Sequence, residues 1–173
     1  MLPNDKFINA DNIALELSAV DPDKAAFKAG RIMLNKIHDL AVNNTDFAFE
    51  TTLASRTFAS WLQGLKQKNY IVHLIYLWLH SEDLAIERVA ERVRRGGHNI
   101  PEAVIRRRYK KSLYNFFNLY RPIADSWLML DNSQLPQPRP VAWCNIGGPL
   151  QIVKNGPWEE LRKQYEKDFF DRK

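Results

Sequence analysis

Two acids and a run of arginines are the residues of this chain whose types and positions could do chemistry. Asp11 follows directly on the apolar stretch KFINA at 6–10, and Glu50 closes a second one, FAFE at 47–50. Two carboxylates at strand ends can divide work: one accepts a proton from an attacking hydroxyl, the other orients it or holds a metal. The structural alternative has Asp11 capping its turn and Glu50 paired with a lysine. Between Arg88 and Lys111, nine Lys or Arg stand against two acids, Glu91 and Glu102, a local charge of +7 in a chain that carries +5. Everything outside that stretch therefore sums to +5 − 7 = −2. Guanidinium forks bind phosphate bidentately, so a basic arm hinged at Gly96-Gly97 fits a lid over a phosphate in transfer. A solvated charged face, or a nucleic-acid patch, explains the same run of charge.

Thr52, two residues past Glu50, either donates to a substrate or caps the helix after it. His38, His73, His80 and His98 share no metal-ligand spacing, and only His98, inside the glycine hinge, is singled out as functional. Cys144 has no Cys or His neighbour at ligand spacing and reads as a buried small hydrophobe.

These groups need elements to aim them. KFINA reads as a strand, and Asp21-Pro22 opens a helix with Ala25, Ala29, Ile32, Met33, Ile37 and Leu40 on one face, closed at Asn43-Asn44. Phe47–Glu50 is the next strand, and a helix follows over about 56–66 with Phe58, Trp61, Leu62 and Leu65 inward. YIVHLIYLWL at 70–79 is apolar almost throughout, which predicts a strand covered on both faces. Ser81 caps the first helix of the arm, with Leu84, Ala85, Val89 and Val93 at helical spacing. Pro101 starts the second, which carries Ile105, Tyr109, Phe116 and Tyr120. Trp127–Leu130 is a further strand, ending in Asp131-Asn132-Ser133. After a proline-rich loop come short strands at 141–145 and 150–153, and then a helix bearing Trp158, Leu161, Tyr165 and Phe169.

Alternation of strands and helices predicts an α/β fold around a mostly parallel sheet, whose ligands bind beyond the carboxyl ends of the strands. A single domain over 1–173 is expected, with 81–120 as the basic helical lid and 134–173 as a hairpin and packing helix. The composition, 45% hydrophobic and 26% charged, excludes disorder. One cysteine excludes an internal disulfide and suits a reducing compartment. No apolar run is long enough for a membrane span and MLPNDKF has no signal region, so a cytoplasmic protein is expected.

FINAD at 7–11, FAFETTL at 47–53, YIVHLIYLWL at 70–79, RVAERVRRGGHNIPEAVIRRRY at 88–109 and DNS at 131–133 resemble, in order and spacing, the zeta-toxin-like P-loop kinases. The match runs over roughly residues 6 to 133. Members of that family phosphorylate a hydroxyl with ATP and Mg²⁺, and its toxins act on UDP-N-acetylglucosamine. The resemblance implies that Asp11 is the base, with Glu50 and Thr52 at the substrate site. Arg88 matches a lid arginine. A second falls near Arg95, with Arg94, His98 and Arg106 as alternatives because the loop differs in length. Asp131, Asn132 and Ser133 match the loop beside adenine. The implied partners are a nucleotide, a small-molecule substrate and an antitoxin-like protein, and no residue is singled out as a metal ligand; nucleic acid ranks behind these.

One departure stands against the family pattern, which begins with a strand, GxxxxGK[ST] and a helix. None of the seven glycines here, Gly30, Gly64, Gly96, Gly97, Gly147, Gly148 and Gly156, precedes Lys-Ser or Lys-Thr. Without that loop there is no backbone cradle for phosphates and no hydroxyl for Mg²⁺. The expectation is a shortened kinase chain that binds ATP weakly or not at all by itself. The alternative is a non-catalytic remnant or regulatory module that takes a protein or anionic ligand on its basic arm. The family's missing strand would lie between those at 47–50 and 70–79, leaving two inner edges unpaired unless the sheet closes up, another chain fills the gap, or the sequence starts too late.

Overall fold

The computed structural model of the chain describes residues 6–17, 22–134 and 136–169. They divide into two compact units: the chain up to Thr51 with Arg92–Asn99, and Thr52–Glu91 with the chain from Ile100 onward.

In the first unit β1 (Phe7–Ile8) pairs in parallel with β2 (Ala48–Phe49). Parallel pairing demands a crossover, and α1 (Ala10–Leu17) and α2 (Pro22–Val42) supply it. Proline suits the first turn of α2, where no N–H is needed; Asp21, expected to open that helix, lies outside the described residues. Ala25, Ala29, Met33, Ile37 and Ala41 recur every fourth residue and are buried with Ile8 and Ile13. Ile32 and Leu40, expected on the same face, are half-buried at its margins. Asn44 ends α2 in the left-handed conformation, φ 51°, and Thr45 N–H returns to the Leu40 carbonyl. α1 corrects the expectation that Asp11 simply follows a strand: Asp11 lies in the first turn of a helix, where a carboxylate is favoured by the exposed N–H groups.

The second unit holds a four-stranded sheet in the order β3–β4–β5–β6. β3 (His73–Trp78) and β4 (Ser126–Asp131) are parallel; β5 (Arg139–Cys144) and β6 (Gln151–Ile152) add antiparallel as the expected hairpin. Its inner face, with Tyr76, Trp78, Trp127, Met129, Val141 and Ala142, is covered by helices. Ala59 comes from α3 (Thr57–Lys66), Leu113 from α5 (Glu102–Asn115), and Trp158 and Leu161 from α7 (Asn155–Phe169). The side chain of Phe169 lies outside the described residues. Phe116 stacks on Tyr76 at 4.6 Å and meets Trp127 edge-on at 5.7 Å. The fold is thus α/β, with parallel strand pairs flanked by helices.

Two expectations are corrected here. β3 is covered on one face only among the described residues: Ile75 is 65% and Leu77 51% exposed, while Tyr76 and Trp78, which alternate with them, join the buried cluster. Cys144 is half-buried, and its Sγ lies 3.1 Å from the Gly148 carbonyl. Among the described residues, strands fall into two sheets, one of β1 and β2 and one of β3 to β6.

The arm is α4 (Glu82–Arg94) and α5. Ser81 caps α4, its Oγ accepting from Leu84 N–H at 3.1 Å as its sequence predicts. α5 does not run on regularly through Phe116 and Tyr120. A π-helical turn (Phe116–Tyr120) and a short α6 (Arg121–Ile123) follow it, a register change that puts both rings into the core.

Candidate functional site

In the first unit, three elements bring polar side chains into one hydrogen-bonded chain. Asn9, between β1 and α1, donates from Nδ2 to Glu50 Oε2 at 2.6 Å. Its Oδ1 accepts the Asp11 backbone N–H at 2.7 Å. One amide therefore ties the residue after β2 to the first turn of α1. The Asp11 carboxylate in turn accepts from Arg92 Nη1 at 2.9 Å, and Arg92 Nη2 donates to the His98 carbonyl at 3.3 Å. Both acids are exposed, so neither is committed to the core.

The glycine hinge shapes this chain. Arg95, Gly96 and Gly97 fold back onto the end of α4, with Gly97 N–H reaching the Arg92 carbonyl at 2.9 Å. Gly96 takes φ 90°, which only glycine adopts without strain. A side chain at Gly97 would meet Arg92 itself, so the second glycine makes room for the arginine that reaches Asp11. Arg92 Nε is buried and has no hydrogen-bond acceptor among the described residues. A buried donor without a partner is costly, and here it belongs to a guanidinium already beside a carboxylate.

Of the residues singled out from the sequence, Asp11, Glu50 and the His98 backbone join this chain. Arg94 and Arg95 close α4 exposed, and Arg95 contributes its N–H to the turn. In the second unit, Thr52 is exposed, and Arg88 is half-buried with its Nε lacking an acceptor among the described residues. Arg106 is engaged by three carboxylates, Asp83 at 2.8 Å, Glu102 at 2.8 Å and Glu82 at 3.3 Å, which hold it well above the ordinary arginine range. It binds the two arm helices together. Asp131, Asn132 and Ser133 form a tight strand-end turn: Ser133 N–H reaches Asp131 Oδ1 at 2.9 Å and Asn132 N–H the Trp78 carbonyl at 2.8 Å. Ser133 Oγ accepts from His80 N–H at 3.0 Å.

Two residues of the chain escaped sequence reading, Asn9 and Arg92. A signal for Arg92 existed: it sits one helical turn after Arg88, on the same face. No group of three or more potential metal ligands occurs among the described residues, and no described helix is long and apolar enough to cross a membrane.

A family model described as zeta toxin matches residues 21–124, more than half of the chain. An uncharacterized protein of Haemophilus influenzae is 28% identical over 102 residues, covering 59% of this chain and 73% of that protein. No solved structure matches. The matched region takes in α2, Glu50, the Gly96-Gly97 hinge and both helices of the arm; the chain belongs to the zeta toxin family.

Proposed function

We propose that the chain carries the acceptor site and lid of a kinase that moves a phosphoryl group from ATP to a hydroxyl of a small molecule. Asp11 accepts the proton of that hydroxyl, Glu50 orients the acceptor, and Arg92 holds Asp11 in place. Arg88 and Arg95 keep the phosphate-binding roles that the family pattern gives them, Thr52 an acceptor contact, and Asp131, Asn132 and Ser133 the adenine side. When bound, Mg²⁺–ATP brings the phosphoryl group and a charge that offsets its oxygens. Magnesium takes most of its ligands from phosphates and water, so two exposed carboxylates suit it better than a closed protein cage would. Phosphoryl transfer asks the protein for position and positive charge more than for covalent chemistry.

The observation that carries this proposal is the Asn9–Asp11–Arg92 chain, which puts an exposed carboxylate and a guanidinium together beside Glu50. None of the chain's glycines supplies GxxxxGK[ST]. Calorimetry with Mg²⁺–ATP is therefore run on this chain and on the chain supplied with a strand–GxxxxGK[ST]–helix segment. Binding is expected in the second case only; no binding in either contradicts the kinase assignment.

A further inference from the structure

β3 stands at one edge of its sheet, paired only with β4 among the described residues. The Val72 and Trp78 carbonyls accept from Ser126 N–H at 3.3 Å and Asn132 N–H at 2.8 Å, so the even-numbered residues turn their backbone groups toward β4. Those groups alternate in direction along a strand, which leaves the N–H and C=O of His73, Ile75 and Leu77 pointing away from the sheet. The side chains of the same three residues are exposed on the bare outer face, and Ile71, just before the strand, is exposed as well. From Ile75 an apolar row continues across the sheet through half-buried Leu128 and Trp143.

An open edge is ordinarily defended by charge, proline, a bulge or shortness. The other edge of this sheet is so defended: β6 has two residues and lies between Pro149 and Lys154. β3 has six, runs beside β4 without a register shift, and sits in a stretch from Asn69 to Ser81 that has no Lys, Arg, Asp, Glu or Pro. What fits such an edge is an uncharged extended strand, apolar on one face, with a free edge of its own. Among the described strands only β3 itself meets that need. β1, β2 and β6 have two residues each, and β4 and β5 lie inside the sheet.

We infer that two copies of this chain pair β3 against β3, antiparallel, about a two-fold axis at Ile75. In that register Ile75 faces Ile75 of the second copy, and His73 of each copy faces Leu77 of the other. Each of these pairs exchanges both N–H···O bonds, so no group on either edge is left over. One register serves both copies because the three residues are spaced evenly about Ile75. The two sheets become one continuous sheet, and the exposed Ile75 and Leu77 side chains of both copies cover one another on its outer face. His73 Nδ1 is already held by Ser126 Oγ at 2.6 Å, which ties the imidazole back to β4. This interface is separate from the phosphoryl-transfer assignment, which uses no residue of β3.

Sedimentation equilibrium on the whole chain over about 1–200 μM tests the inference. A monomer–dimer equilibrium with no larger species is expected. Ile75→Lys sets two ammonium groups face to face at the axis and removes the apolar contact there, and is expected to weaken the dimer at least about tenfold. Leu150→Lys, at an exposed apolar residue of the hairpin, is expected to leave it unchanged. A second measurement reads the same axis without adding charge. In a Cys144→Ser background, Ile75→Cys is expected to cross-link to its own copy on mild oxidation, because hydrogen-bonded antiparallel partners stand about 5.5 Å apart at Cα. Ile146→Cys in that background is expected to stay uncross-linked. A monomer at every concentration, an extended series of oligomers, equal losses from the two lysine variants, or equal cross-linking of the two cysteine variants overturns it.

Discussion

At Gly97 a missing carbon decides where Arg92 goes. A Cβ there would stand 2.7 Å from Arg92 Cγ and 2.9 Å from its carbonyl oxygen, closer than nonbonded atoms come. Gly97→Ala must therefore displace the residue that reaches Asp11, and a loss of about 1–3 kcal/mol is expected in denaturant melts. Gly64, inside α3 with nothing within 4 Å, is the contrasting site: alanine there is expected to gain about 0.5–1 kcal/mol. Asn115 is a second such residue. It is 3% exposed and donates from Nδ2 to the Leu53 carbonyl at 2.6 Å, holding Leu53 at φ 56°. Asn115→Leu leaves that carbonyl without its donor, and a loss of about 1–3 kcal/mol is expected by thermal or chemical melting; no change would mean that the loop is held otherwise. Asn9 was not legible as a site residue, and Arg92 was marked only by its place one turn after Arg88. Asn9 reads as part of a strand, and Arg92 as one of nine cations, until its acceptor 81 residues away is known.

Among elements, α3 is tied to the start of β3 and β4 by one ion pair. Lys66 Nζ lies 2.8 Å from Asp125 Oδ1 and donates to the Ile123 carbonyl at 2.7 Å, while Asp125 Oδ2 accepts Val72 N–H at 2.8 Å. The Lys66 ammonium, then the Val72 N–H, hold the Asp125 carboxyl below its usual range. A group whose folded pKa is depressed adds stability above its unfolded value, about 3.9 for aspartate, and that contribution is lost as pH falls through the folded value. Thermal stability is expected to fall as pH drops below about 4, and Asp125→Asn is expected to flatten that fall. An unaltered pH profile in the variant contradicts it. The long elements were readable because their periodicity persists: α2 repeats a small or apolar residue every fourth position, and Ser81 and Gly96-Gly97 punctuate α4. α1 was not, since ADNIALEL gives only two turns. The π-helical turn was not either, because Phe116 and Tyr120 fit α-helical spacing as well and only packing against Tyr76 and Trp127 selects the wider turn. The bare outer face of β3 was hidden for a related reason: an unbroken apolar run cannot say which side lacks a cover.

For the molecule as a whole, the alternation of strands and long helices, the C-terminal hairpin and the zeta toxin family were present in the residues, the family carried by FAFETTL and the glycine-hinged arm within 21–124. The partition of charge was only half visible. Sequence gives one block of +7; the structure sorts it by use, with Arg92 on Asp11, Arg106 and Lys110 on α4, and Arg107, Arg108 and Lys111 facing outward. Those divisions arise from partners distant in sequence, which local pattern cannot supply. The most direct measurement is the rate of phosphoryl transfer from ATP to a hydroxyl acceptor, UDP-N-acetylglucosamine first, by the chain supplied with a phosphate-binding segment, compared with its Asp11→Asn variant. A fall of about 10²–10⁴-fold, the usual worth of a positioned base, is expected; a variant that transfers phosphate as fast as the parent chain contradicts the account.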